Sequence, residues 1–152
     1  MPTFVNPVAE IVKKMRLNSD LTARVASSRI QGGYPKIVNG EPTGVNKPGI
    51  YIHRASGEMK FVFGPSSLTD APKYGSASYQ VDVFSDVGVT DVDEIAALAQ
   101  VAVGDSVPNG YLFSIYFIDS FSSYDDGFDC YHSIFIIQCR LKRRPAGVTL
   151  LG

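Results

Sequence analysis

An α+β fold is predicted: a mostly antiparallel sheet of about five strands with two helices packed on one face. Three observations predict it. Helical periodicity occurs twice, early in the chain and again after residue 90, each time behind a capping residue. Strand-like segments lie between and after these helices instead of alternating with them one to one. The final strand segment holds Ile134-Phe135-Ile136-Ile137, apolar on both faces, so it belongs in the middle of a sheet or beneath a partner subunit.

The elements follow in order. Asn6-Pro7 is an N-cap followed by proline at the first helical position. Val8, Ile11, Val12 and Met15 then recur at helical spacing, and Lys13, Lys14 and Arg16 meet the negative end of the helix dipole. Asn18-Ser19-Asp20 caps a second, short helical turn over 21–25. Ser28-Arg29-Ile30 begins an extended segment that Gly32-Gly33-Tyr34-Pro35 breaks. Residues 36–49, with Asn39-Gly40, Pro42, Gly44 and Pro48, read as a loop. Gly49 to His53 reads as a strand, with Glu58 to Phe63 as its hairpin partner across Ala55-Ser56-Gly57. Gly64 to Gly75 is a Ser/Pro/Gly-containing loop.

Ser76 to Ser85 is the next strand. Tyr79, Val81 and Val83 alternate with Gln80 and Asp82, which predicts one buried and one wet face. Thr90 caps the second long helix, with Asp93 three residues on as a capping-box partner. Ile95, Leu98, Ala99 and Ala102 form its apolar stripe, and Gly104 ends it. Two long strands close the domain, Tyr111 to Asp119 and Cys130 to Lys142, joined by an acidic hairpin loop over 120–129. The organisation is one domain over 1–144 with a C-terminal extension over 145–152.

A chain of 152 residues has a typical single-domain length. At that size it buries roughly 68–70% of its unfolded surface and needs no metal or disulfide to fold. Hydrophobic content of 45% and charged content of 19% are those of a globular protein. No apolar run approaches the roughly 20 residues of a membrane span, so no membrane partner is expected. Met1-Pro2-Thr3-Phe4 lacks the pattern of a signal peptide, so the expected compartment is the cytoplasm or a particle assembled there. Cys130 and Cys139 lie on one strand at odd spacing, about 30 Å apart and on opposite faces, so they are expected to be free thiols.

Charge is strongly segregated. Residues 1–73 hold ten basic residues against five acids, whereas residues 74–139 hold ten acids and no lysine or arginine. Arg140, Lys142, Arg143 and Arg144 restore a formal net charge of −1. Opposite poles on one small protein suit head-to-tail contact with copies of itself or with neighbours.

No residue pattern spells out a reaction. His53 and His132 are the only histidines, each in a strand beside tyrosines and without metal-ligand spacing, and they read as surface or packing residues. The acids of Tyr124-Asp125-Asp126-Gly127-Phe128-Asp129 are adjacent instead of alternating, and no glutamate follows Glu94, so a calcium loop is not indicated. Glycine pairs lack a phosphate-loop frame and serine pairs lack a nucleophile elbow. The basic groups at Lys13, Lys14, Arg16, Arg24 and Arg29, or at 140–144, are modest for nucleic-acid binding beside so large an acidic segment. No catalytic residue, metal or cofactor is expected.

The sequence of elements is similar to one known family. An N-terminal helix precedes Leu21-x-x-x-Val25, then Arg29-Ile30 and Pro35. Tyr79-Gln80-Val81-Asp82-Val83-Phe84-Ser85 runs into a helix with Ile95 and Ala99, and a final long strand ends near Arg140. From about residue 6 to 144 this resembles the tail terminator, or tail completion, proteins of long-tailed bacteriophages. The resemblance implies a structural virion protein: a ring, commonly of six copies, on the head-proximal end of the tail tube. Such a ring stops tube polymerisation and joins the tail to the head-side connector. Its partners would be itself, the major tail tube protein and the connector, with DNA only as passing cargo. Related neck proteins of the head side share the pattern and are the alternative. On this reading Phe61, Phe63, Arg140, Arg143, Arg144, Val148, Leu150 and Leu151 are candidate interface residues. Asp125, Asp126 and Asp129 are candidates to face a channel or a basic neighbour. A third reading, an enzyme or small-ligand module, would use the acidic 119–129 segment.

Overall fold

The computed structural model describes residues 7–34, 36–38, 41–43, 45–55, 60–62, 74–104, 112–127 and 129–142. Helix α1 spans Pro7–Leu17 and the single turn α2 spans Ser19–Thr22. Asn18 caps α2 as its sequence predicts, accepting from the Leu21 N–H at 2.9 Å. After a 3-10 turn at Ser27–Arg29 come the short strands β1 (Ile30–Gly32), β2 (Lys36–Val38) and β3 (Glu41–Thr43). Then follow β4 (Gly49–Arg54), β5 (Lys60–Val62), β6 (Tyr74–Ser85), α3 (Val89–Gly104), β7 (Leu112–Asp125) and β8 (Cys130–Lys142).

The main sheet runs β1-β4-β6-β8-β7, with β5 added to the start of β6. Among the described residues only β1 and β4 pair in parallel, so the sheet is mostly antiparallel as predicted, and β8 lies inside it between β6 and β7. Both long helices pack on one face. Ile11 and Met15 of α1, Leu21, Val25, and Ile95, Ala99 and Val103 of α3 meet Ile50, Ile52, Val81, Val83, Phe135, Ile137 and Cys139 of the sheet in one apolar core. Alanines along α3 permit this close approach. Gly32 does the same for α1, since a Cβ there would come within 2.9 Å of Val8 Cγ1. Arg24 ties the helical layer together by donating to Asp91 and, at 3.1 Å, to Glu94.

Several expectations are corrected. The segment around 60–62 pairs with β6, not with β4, because β6 is long enough to hold β4 along its second half and β5 at its start. Residues 36–49 are not all loop: β2 and β3 form a separate two-stranded hairpin, where Pro42 disturbs no central ladder. Helix α3 begins at Val89, one residue before the predicted cap, and Asp93 accepts instead from the Ser122 hydroxyl of β7. Strand β7 runs on to Asp125, so the broad acidic loop shrinks to a turn between Asp125 and Cys130. Bulge-like register shifts near its start and between Phe117 and Asp119 interrupt the strict alternation on which the sequence reading depends.

Candidate functional site

The face of the sheet away from the helices is not uniformly wet. Asp82, predicted to face water, is 0% exposed. Strand alternation puts it on one face with Tyr51 and His53 of β4, Phe84 of β6 and His132 of β8. Tyr51, Phe84 and Cys130 form a small second core, with Val45 from the segment before β4 packed against it. The Tyr51 hydroxyl accepts from the Asn46 N–H at 3.1 Å, fixing that segment over the sheet.

A chain of four titratable side chains crosses this face. His53 Nε2 lies 2.6 Å from one Asp82 carboxylate oxygen, and His132 Nε2 lies 2.7 Å from the other. The Gln80 amide donates to Asp82 at 3.0 Å. His132 Nδ1 lies 3.2 Å from the Asp125 carboxylate, and His53 Nδ1 lies 3.1 Å from the Arg54 carbonyl oxygen. His132 also stacks on Phe84 with ring centroids 4.3 Å apart, and Tyr34 meets His53 edge-on at 5.0 Å. The pairings are diagonal across neighbouring strands: Asp82 stands opposite Tyr51 and Ile134, and the histidines reach it from two residues away.

This geometry constrains the chemistry. Each imidazole has a protein oxygen within hydrogen-bonding distance of both of its ring nitrogens. With both nitrogens of each ring engaged by protein oxygens, the chain of contacts braces β4, β6, β8 and β7 against one another. Among the described residues no group of three or more His, Cys, Asp or Glu side chains is placed to hold a metal ion. Burial raises the Cys130 thiol and pushes Cys139 up to about 12, leaving both as packing residues. They are free and sit on opposite faces, as their spacing predicts.

The predicted site residues separate into groups. Asp125 is half-buried and belongs to the histidine–aspartate chain, whereas Asp126 and Asp129 are exposed in the turn. Asp129 has a left-handed backbone (φ 51°) and accepts from the Tyr124 hydroxyl, which pushes that phenol up to about 12. Its carbonyl accepts from Lys47 Nζ at 3.3 Å. Arg140 is exposed near the end of β8, opposite Ser76 and Ser114. Phe61 stands opposite Gly75 in the β5–β6 pairing. Phe63, Arg143, Arg144, Val148, Leu150 and Leu151 lie outside the described residues. Sequence reasoning missed the joining of His53, Asp82, His132 and Asp125. The shared face was legible in the parity of each strand, but the pairing of β4 with β6 and of β6 with β8 was not.

No family model matches this chain, and no curated protein does. Among solved structures it is similar to a chain of the virion of a native gene transfer agent particle. The two share 14% identity and superpose with a TM-score of 0.60, covering 91% of this chain and 99% of that one. The two chains therefore share a fold across nearly their whole length. Among the described residues no helix is long and apolar enough to cross a membrane.

Proposed function

We propose that the chain is a structural virion protein that forms a ring at the head-proximal end of a phage-type tail tube. There it ends tube polymerisation and joins the tail to the head-side connector. The observation that carries the virion assignment is the fold shared with a chain of a gene transfer agent virion over 91% of this sequence. The position at the tail end rests on the resemblance to tail terminators and on the segregation of charge. Oligomers built by a head-to-tail contact close into rings when the rotation permits, and a chain with a basic first half and an acidic second half suits that contact. The role is non-enzymatic, with its partners drawn from the virion: copies of itself, six in the families it resembles, the tube protein and the connector. The particle is assembled in the host cytoplasm.

Electron microscopy of particles made without the protein tests this. The expected result is tubes of uncontrolled length that do not join heads. Tubes of fixed length joined to heads would contradict it. Binding to the portal complex without tube protein would instead assign the chain to the head-side neck.

A further inference from the structure

Two surface patches of opposite charge lie at opposite edges of the sheet, both on its helix-covered side. At the β1 edge, Lys13, Arg16 and Leu17 share one exposed side of α1 at the i, i+3, i+4 spacing. Leu17 is 76% exposed, an apolar side chain next to these cations. Arg16 Nε donates to the Ile30 carbonyl at 2.9 Å, which holds this side of α1 against β1 next to the exposed Arg29. Among the described residues neither Lys13 nor Arg29 has an ion-pair partner.

At the other edge, β7 presents Tyr124, 49% exposed and packed edge-on against Tyr131. Exposed acids flank it. Asp129 accepts from its hydroxyl, Asp126 lies in the same turn, and Asp93 reaches β7 from α3 by accepting from Ser122. Each patch thus has an apolar or aromatic centre with a rim mainly of one sign, Glu10 lying beside the cations of α1 and Lys47 reaching the Asp129 carbonyl, and neither edge strand has a further strand paired to it among the described residues.

We infer that these two patches are the two halves of one contact between copies of this chain. Leu17, Lys13, Arg16 and Arg29 of one copy meet Tyr124, Asp93, Asp126 and Asp129 of the next. The matching of sign identifies the occupant as a second copy: each edge carries the complement of the other, while each would repel itself. A contact between two different patches is heterologous, so it propagates from copy to copy and closes as a ring where the rotation per copy permits. The inference rests on the ring reading above and names the surfaces that would make it.

Charge reversal tests it. Sedimentation is measured for wild type, for Lys13→Glu/Arg29→Glu and for Asp93→Lys/Asp126→Lys, with circular dichroism confirming that each is folded. Each double variant is expected to assemble at least tenfold more weakly than wild type. Their equimolar mixture is expected to reassemble, because every junction in an alternating ring then joins opposite charges. Leu17→Asp, which changes the centre of one patch and leaves its cations intact, is expected to weaken assembly as well. Variants that assemble like wild type, or a mixture that stays monomeric, would overturn the inference while leaving a wild-type ring in place. A wild-type chain that is monomeric at every concentration would contradict the ring reading itself.

Discussion

The two faces of the sheet are made by the same strands one residue out of phase, yet different forces hold them. On the covered face Val81, Val83, Phe135 and Ile137 are 0% exposed and packed under α1 and α3. On the opposite face Asp82 is equally buried, but two histidines and a glutamine hold it. Apolar packing is non-directional and tolerates exchange of similar shapes. A buried carboxylate depends on every donor being in place, because a lost partner leaves its charge uncompensated. The covered face therefore supplies the bulk of the folding energy. The other face fixes geometry, tying the β7–β8 hairpin to the centre of the sheet through His132.

The contrast can be broken first at its apolar side. Phe135→Ala is expected to destabilise the chain by about 3–5 kcal/mol in urea unfolding. Ile136→Ala, one residue along and half-exposed on the other face, is expected to cost only about 1 kcal/mol. Equal losses would erase the distinction between the faces. Asp82→Ala comes next, at about 3 kcal/mol, because it orphans two histidines together with the Gln80 amide. A cost below about 1 kcal/mol would mean that the network contributes little to the fold. His132→Phe keeps an aromatic ring over Phe84 but cuts the link between Asp82 and Asp125, for a loss of roughly 1–2 kcal/mol. Amide exchange should then quicken in residues 120–127 and stay unchanged in β4. Uniform quickening would contradict a local brace.

The smallest effect concerns acid. The Ser85 hydroxyl, and then Arg24, hold the Asp91 carboxyl below its usual value of 3.8. A depressed carboxyl contributes stability that is complete above the ordinary value and is lost as pH falls below it. Ser85→Ala removes the largest cause, so acid unfolding followed by circular dichroism should begin at a higher pH than in wild type. An unchanged acid limb would mean that Asp91 is not among the groups that set it.

Much of this architecture is legible in the sequence because it depends on local signals. Asn18 as a cap, the apolar stripe of α3, the Val81/Val83 alternation and the continuous apolar run of β8 each follow from a few neighbouring residues. Pairing does not. The contact between β5 and β6 competes with an equally plausible hairpin to β4, and only the length of β6 decides it. Asp82 reads as a wet-face residue in the sequence because its partners, His53 and His132, come from other strands, separated from it by 29 and 50 positions. Asp125 changed meaning for the same reason. Its neighbours Asp126 and Asp129 remained the exposed acids of the turn that the sequence suggests, while Asp125 was drawn into the sheet by a histidine invisible to local reading.

The most direct test of the account is the position of the chain in the assembled particle. Gold-labelled protein viewed by electron microscopy is expected at a single site per particle, the junction between head and tail, and at one end of free tubes. Label spread along the tube, or confined to the head shell, would contradict a tail-terminating ring.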